Sequence, residues 1–93
     1  MSYVLLPSSA FKRASRRYLK RNPSTADELE EVLQQLADDP FHPLLKTHRL
    51  KGELRNSWAC SAGYDLRIIF SFVKHLNAPA ILLETVGTHD EVY

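Results

Sequence analysis

Ninety-three residues with a formal net charge of +1, 44% hydrophobic and 25% charged side chains, are enough for one modest core and exclude a disordered chain or a simple polycationic coat. Cys60 is the only cysteine, so no intramolecular bridge can form, and the chain suits a reducing compartment with that thiol buried and inert. No apolar run approaches the ~18–20 residues that span a bilayer, and no signal-peptide stretch opens the chain; residues 1–93 therefore read as a single cytoplasmic domain with no membrane partner.

In chain order, Tyr3-Val4-Leu5-Leu6 is an apolar run stopped by Pro7, which predicts a first strand. Ser8 or Ser9 can cap the helix that follows, where Phe11, Ala14, Tyr18 and Leu19 recur at helical spacing until Asn22-Pro23. The other face of that helix carries Lys12, Arg13, Arg16, Arg17, Lys20 and Arg21. Thr25 and Glu28 have the spacing of a capping box ahead of Leu29, Val32, Leu33 and Leu36, which predicts a second helix. Residues 23–40 hold acids and no base. The two helices form a hairpin whose apolar stripes need a shared partner. Their opposite charges either solvate them or serve a binding partner.

After Asp38-Asp39-Pro40 the helical period vanishes, and residues 41–52 read as a loop. The period then becomes two. Leu54, Trp58 and Cys60, then Tyr64, Leu66, Ile68, Phe70 and Phe72, keep one parity across a Ser61-Ala62-Gly63 turn, which predicts a hairpin with one buried face. A turn centred on Ala62 pairs Trp58 with Leu66, Ser57 with Arg67 and Ala59 with Asp65, and gathers Arg55, Asp65 and Arg67 on the odd face. Residues 74–79 make a second turn, and Ala80 to Val86 a further strand. The expected fold class is α+β in the order β-α-α-β-β-β, a helical hairpin packed on one face of a small antiparallel-rich sheet whose other face is open.

Phosphate-binding loops, dinucleotide fingerprints and paired CxxC motifs are absent from the sequence. His42 and His48 lack companions at metal-ligand spacing, so neither a metal nor a cofactor is expected. Residues 41–75 are rich in bases, among them Lys46, Arg49, Lys51, Arg55 and Arg67, and would attract phosphate. The closing Gly87-Thr88-His89-Asp90-Glu91-Val92-Tyr93 places a histidine and an aromatic just after a strand; the end either packs onto the core or forms a site. Asp65 and Arg67 either pair with one another on the surface or work with Arg55, His48, Lys51, His89 and Tyr93 on a phosphodiester. Cutting RNA requires a base for the 2′-hydroxyl, a cation for the phosphorane and an acid for the leaving 5′-oxygen.

The segments Thr47-His48-Arg49-Leu50-Lys51-Gly52, Tyr64-Asp65-Leu66-Arg67-Ile68-Ile69-Phe70 and Thr85 to Tyr93 resemble the RelE/ParE toxin superfamily, nearest to the YafQ-like messenger-RNA interferases. The resemblance implies a RelE-like microbial ribonuclease fold and the toxin of a type II toxin-antitoxin system. Such a toxin is a metal-independent endoribonuclease that cleaves mRNA on the translating ribosome and inhibits translation. The family's functional positions fall on His48, Ser61, Asp65, His89 and Tyr93, with Ser61 standing where those toxins carry a second histidine. The resemblance makes His89 the principal acid/base, Asp65 its counterpart or orienter, Arg67 and Arg55 phosphate clamps, and His48 and Tyr93 positioning groups. Lys46 and Lys51 join Arg55 as RNA-contacting bases. The implied partners are a cognate antitoxin protein, the ribosome with its mRNA, and operator DNA only through the antitoxin, with the basic first helix facing either an acidic partner segment or ribosomal RNA. Two alternatives stand beside this: a ParE-like DNA gyrase inhibitor that performs no hydrolysis, and an inactive complex-forming module, which the serine at position 61 keeps open.

Overall fold

The computed structural model describes residues 2–54, 56–63 and 65–93; Met1, Arg55 and Tyr64 lie outside the described residues. Strand β1 is Val4–Pro7 and helix α1 is Ser9–Arg21. Ser8 is the cap: its hydroxyl oxygen accepts the Phe11 N–H at 3.0 Å and its hydroxyl donates to the Glu84 carbonyl at 2.9 Å. Helix α2, Ala26–Asp38, follows a 3-10 turn over Pro23–Thr25. That turn overrides the capping box expected at Thr25 and Glu28. It leaves Thr25 at φ −95°, ψ 1°, outside the extended conformation a cap needs, and the Thr25 hydroxyl donates instead to the Asn22 carbonyl at 2.7 Å.

The loop expected over residues 41–52 contains a 3-10 turn, Pro43–Leu45, and a two-residue edge strand, β2, His48–Arg49. It is followed by β3, Trp58–Ser61, β4, Leu66–His75, and β5, Ala78–Thr88. The sheet order is β1-β5-β4-β3-β2, with β1 parallel to β5 and the other pairs antiparallel. The architecture is thus α+β, in the expected order with one short edge strand and a terminal helix, α3, His89–Val92, added. Leu76 and Asn77 both take positive φ, 52° and 66°, which makes the β4–β5 connection a two-residue turn tighter than the one expected over 74–79.

Helices and sheet share one core in which Phe70, Leu36, Ile68, Ile81 and Cys60 are fully buried and Phe11, Leu29, Leu66 and Val86 nearly so. The even parity read across β3 and β4 is the helix-facing one. The register expected for that hairpin is corrected: Trp58 pairs with Phe70, Cys60 with Ile68 and Ser61 with Arg67. Ala62 is buried and donates its N–H to the Leu66 carbonyl at 2.8 Å, so the turn runs past it to Asp65, which stands in the connection and not on a strand. A displacement by an even number of residues keeps every side chain on its face.

On β5 the parity changes at a bulge: Ile69 pairs with Thr85 and Phe70 with Leu83, leaving Glu84 as the extra residue. Ile81 and Leu83 below the bulge, and Val86 above it, therefore all reach the core. The sheet face away from the helices is less open than expected. Ala59 and Ile69 are buried there, and the buried Ser57 hydroxyl sits 3.0 and 2.9 Å from the two carboxylate oxygens of Glu84.

Ser8 both caps α1 and fastens it to the bulge. Ser8→Ala is expected to cost about 1–2 kcal/mol, read as a lower denaturation midpoint at unchanged m-value. Thr25→Ala, at the expected but unformed box, stays within about 0.5 kcal/mol. Equal losses for the two variants would contradict this account of the caps.

Candidate functional site

The site is assembled by the way the chain turns back after β5. Thr88 is extended at φ −69°, ψ 164°, and forms a capping box with Glu91, whose Oε1 accepts the Thr88 N–H at 2.9 Å. Gly87 permits the tight return. A Cβ there would lie 3.1 Å from both Glu91 Oε1 and Val92 Cγ1. Two ties fix α3 against the rest of the fold: the His89 N–H donates to the Asp65 carbonyl at 3.2 Å, and Arg21 Nη2 of α1 stands 3.7 Å from Glu91 Oε2. The Thr88 amide, followed by the Thr88 hydroxyl, lowers the Glu91 pKa below its ordinary value, with Arg21 and Arg17 adding to the effect.

Within α3 the Tyr93 N–H donates to the His89 carbonyl at 3.1 Å, and the two rings meet edge-on with centroids 4.5 Å apart. The Tyr93 hydroxyl reaches across to His48 Nε2 at 3.5 Å, the outer limit of a hydrogen bond. His48 Nδ1 lies 3.1 Å from the Lys46 carbonyl, which can only accept. Neutral His48 therefore carries its proton on Nδ1 and presents a lone pair at Nε2, towards which the Tyr93 hydroxyl donates. Burial raises the Tyr93 pKa, partly offset by the positive charge of Arg67. The phenol is thus held as a donor at neutral pH.

Arg67 stands opposite Ser61 in the β3–β4 ladder and donates from Nη1 to the Leu66 carbonyl at 3.1 Å. His48, Arg67, His89 and Tyr93, named from the sequence, are thus brought to one end of the sheet. Asp65 joins them through its carbonyl. The carboxylate beside His89 is that of Asp90, Oδ1 to Nδ1 3.7 Å, an exposed contact that is ionic only when the imidazole is protonated. Sequence reasoning missed Asp90 and Glu91 in this role, although the Thr88-x-x-Glu91 spacing was there to be read. Ser61 lines the groove beside Arg67, and so does Lys46, at φ 52°. Lys51 is exposed; Arg55 lies outside the described residues. Cys60, under the site, is buried and its thiol pushed up to about 12, so it is inert as a nucleophile at neutral pH.

The sequence model of the YafQ family, bacterial toxins of type II toxin-antitoxin systems, matches residues 3–93. The chain belongs to the YafQ toxin family. Among solved structures it is similar to YafQ from E. coli strain BL21(DE3), with a TM-score of 0.78, 14% identity and 98% of each chain covered. It is likewise similar to a metal-bound toxin from Helicobacter pylori, with a TM-score of 0.77, 26% identity and 100% of each chain covered. A YoeB/ParE toxin from Agrobacterium tumefaciens matches with a TM-score of 0.76 and 13% identity, over 92% of this chain and 98% of that one. No curated protein matches. Among the described residues of this YafQ family member, no group of three or more His, Cys, Asp or Glu is gathered to hold a metal ion, and no helix is long and apolar enough to cross a membrane.

Two titrations test this geometry. Because the Glu91 pKa is depressed in the folded chain, its contribution to α3 docking is complete above the ordinary value of 4.5 and is lost as pH falls through the depressed one. Nuclear Overhauser contacts between the His89 and Tyr93 rings should therefore persist at neutral pH and fade in that acid window. Persistence of the contacts throughout the acid window would refute the role of Glu91. In a phenolate absorbance titration, Tyr93→Phe should remove a step lying above the ordinary tyrosine value of 10.0; loss of an unshifted step would contradict the partial desolvation of that hydroxyl.

Proposed function

We propose that this YafQ family toxin is an endoribonuclease that cuts mRNA on the translating ribosome by attack of the ribose 2′-hydroxyl on the adjacent phosphate. The observation that carries the reading is the meeting of His48 and His89 at Tyr93 beside Arg67. Two imidazoles suit the two proton transfers that the reaction requires near neutral pH.

His48 Nε2, with its lone pair directed by the Lys46 carbonyl on the far nitrogen, accepts the 2′-hydroxyl proton. The 2′-oxygen then bonds to phosphorus, and the bond from phosphorus to the 5′-oxygen breaks. His89, as imidazolium, gives its proton to that departing oxygen, leaving a 2′,3′-cyclic phosphate and a 5′-hydroxyl end. Arg67 stabilises the added negative charge of the phosphorane. Tyr93 holds His48 and His89 in register and can donate to a phosphoryl oxygen. In this scheme the histidine replaced by Ser61 is not needed, because His48 and His89 already account for both transfers. Asp65 positions His89 through its carbonyl, while Lys46, Lys51 and Arg55 supply positive charge along the RNA path.

The ribosome would supply much of the positioning energy, since a site this small and exposed holds free RNA weakly. A cognate antitoxin is the natural inhibitor: the structurally similar E. coli YafQ, at 14% identity, is solved in complex with DinJ. Operator DNA would be reached only through that antitoxin.

The test is the mapping of 5′ ends on messenger RNA after brief induction. New ends at fixed places within codons are expected, falling about 100- to 10,000-fold in His89→Ala and by a comparable amount in Arg67→Ala. Ser61→Ala should keep cutting within a few-fold. Growth arrest without new ends would overturn the ribonuclease reading and favour non-hydrolytic inhibition of a target such as gyrase.

A further inference from the structure

Beside the site runs a groove of about 580 Å³, between α2 and the segment that joins it to the sheet. Its volume lies within the ~300–1,000 Å³ range of sites that hold small organic ligands. Arg67 belongs to both places: its charge acts on Tyr93, and its side chain lines the groove. The walls differ in chemistry. On the loop and sheet side stand Lys46 and Arg67, while on the α2 side stand Glu31, Val32 and Gln35. Leu44, 78% exposed, offers an apolar surface that the core does not use.

We propose that this groove is a nucleotide subsite that receives an unpaired nucleotide next to the scissile phosphate, with Gln35 reading its base. The inference rests on the ribonuclease reading and adds a specificity determinant to it. The separation of charge orients the occupant. Its phosphate lies along Lys46 and Arg67, its base lies across Leu44 and Val32, and the base edge meets Gln35, whose amide both donates and accepts. Single-stranded RNA is read by stacking an unpaired base on a side-chain surface, most often aromatic or Arg, and hydrogen-bonding its edge; here the aliphatic Leu44 offers the surface and Gln35 the edge contact. Glu31, one helical turn from Gln35, repels a phosphate from the α2 wall and accepts from exocyclic amines. An acidic peptide, the other chemistry that two cations could attract, would have to place its carboxylates against Glu31 as well.

The experiment follows backbone amide shifts of the intact chain on titration with 2′-O-methyl RNA trinucleotides, which lack the attacking hydroxyl and stay uncut. The four bases are compared at the position beside the central phosphate. Shifts are expected at Val32, Gln35 and Leu44 together with His48 and His89, with one base preferred. Gln35→Ala should abolish a preference of roughly tenfold while leaving average affinity within a few-fold. Leu44→Ala, at an exposed position that cannot endanger the core, should weaken all four. Shifts confined to His48, His89 and Tyr93 would overturn the subsite and leave the ribonuclease reading standing. Absence of shifts anywhere, with no mRNA cutting in cells, would remove both. Unchanged RNA binding in Gln35→Ala and Leu44→Ala, combined with lost antitoxin binding, would assign the groove to a protein segment instead.

Discussion

The fold depends most on the bulge in β5. A strand that continued in strict alternation from Ile81 and Leu83 would send Val86 to the outer face and begin α3 on the wrong side of the sheet. The extra residue, Glu84, resets the parity, so that the core claims residues on both sides of it. Bulges left to themselves are weak points in a ladder, and this one is held from two directions. The Ser8 hydroxyl takes its carbonyl, and the Ser57 hydroxyl takes its carboxylate. One of these ties comes from the cap of α1, so the start of the first helix and the exit direction of the last strand are set by the same serine.

That arrangement explains why a four-residue helix can carry a site. A helix of one turn has no stability of its own in water, because nucleation costs more than so few hydrogen bonds return. The ordering of α3 is tertiary: the Asp65 carbonyl, the close approach at Gly87 and the reach of Arg21 supply what the helix lacks. Both Arg21–Glu91 and His89–Asp90 are exposed pairs, worth little singly. The effect of Arg21–Glu91 is orientation, since it ties α3 to α1 and selects one of many directions for a segment that would otherwise fray, whereas His89–Asp90 lies within α3.

Much of the fold was legible because it is written in periodicity. Trp58, Cys60, Leu66, Ile68, Phe70 and Phe72 mark the face turned to the helices, and Leu29, Val32, Leu33 and Leu36 the stripe of α2. Register was not legible, since a shift by an even number preserves the pattern and the turn residues Ser61-Ala62-Gly63 suit more than one centre. The capping box was read at Thr25, where a preceding Asn22-Pro23 imposes a 3-10 turn, and overlooked at Thr88, where nothing competes. Strand β2 is two residues long and carries no period at all. Among the candidate site residues, His48, Arg67, His89 and Tyr93 could be named by chemistry, but the tautomer of His48 depends on the carbonyl of Lys46, a residue in the left-handed conformation.

Position 61 bears on how much of the candidate site the backbone alone supplies. Identities of 14% and 26% to solved toxins of the same fold leave few side chains in common, while TM-scores of 0.78 and 0.77 show the backbone retained. What the backbone fixes is the meeting point: the end of β3, the start of β4, the loop at His48 and the return of α3. With His48 and His89 both at Tyr93, the proposed reaction has an imidazole for each of its two proton transfers and asks none of position 61. Ser61 faces Arg67 across the ladder as a small polar neighbour, and both line the adjoining groove.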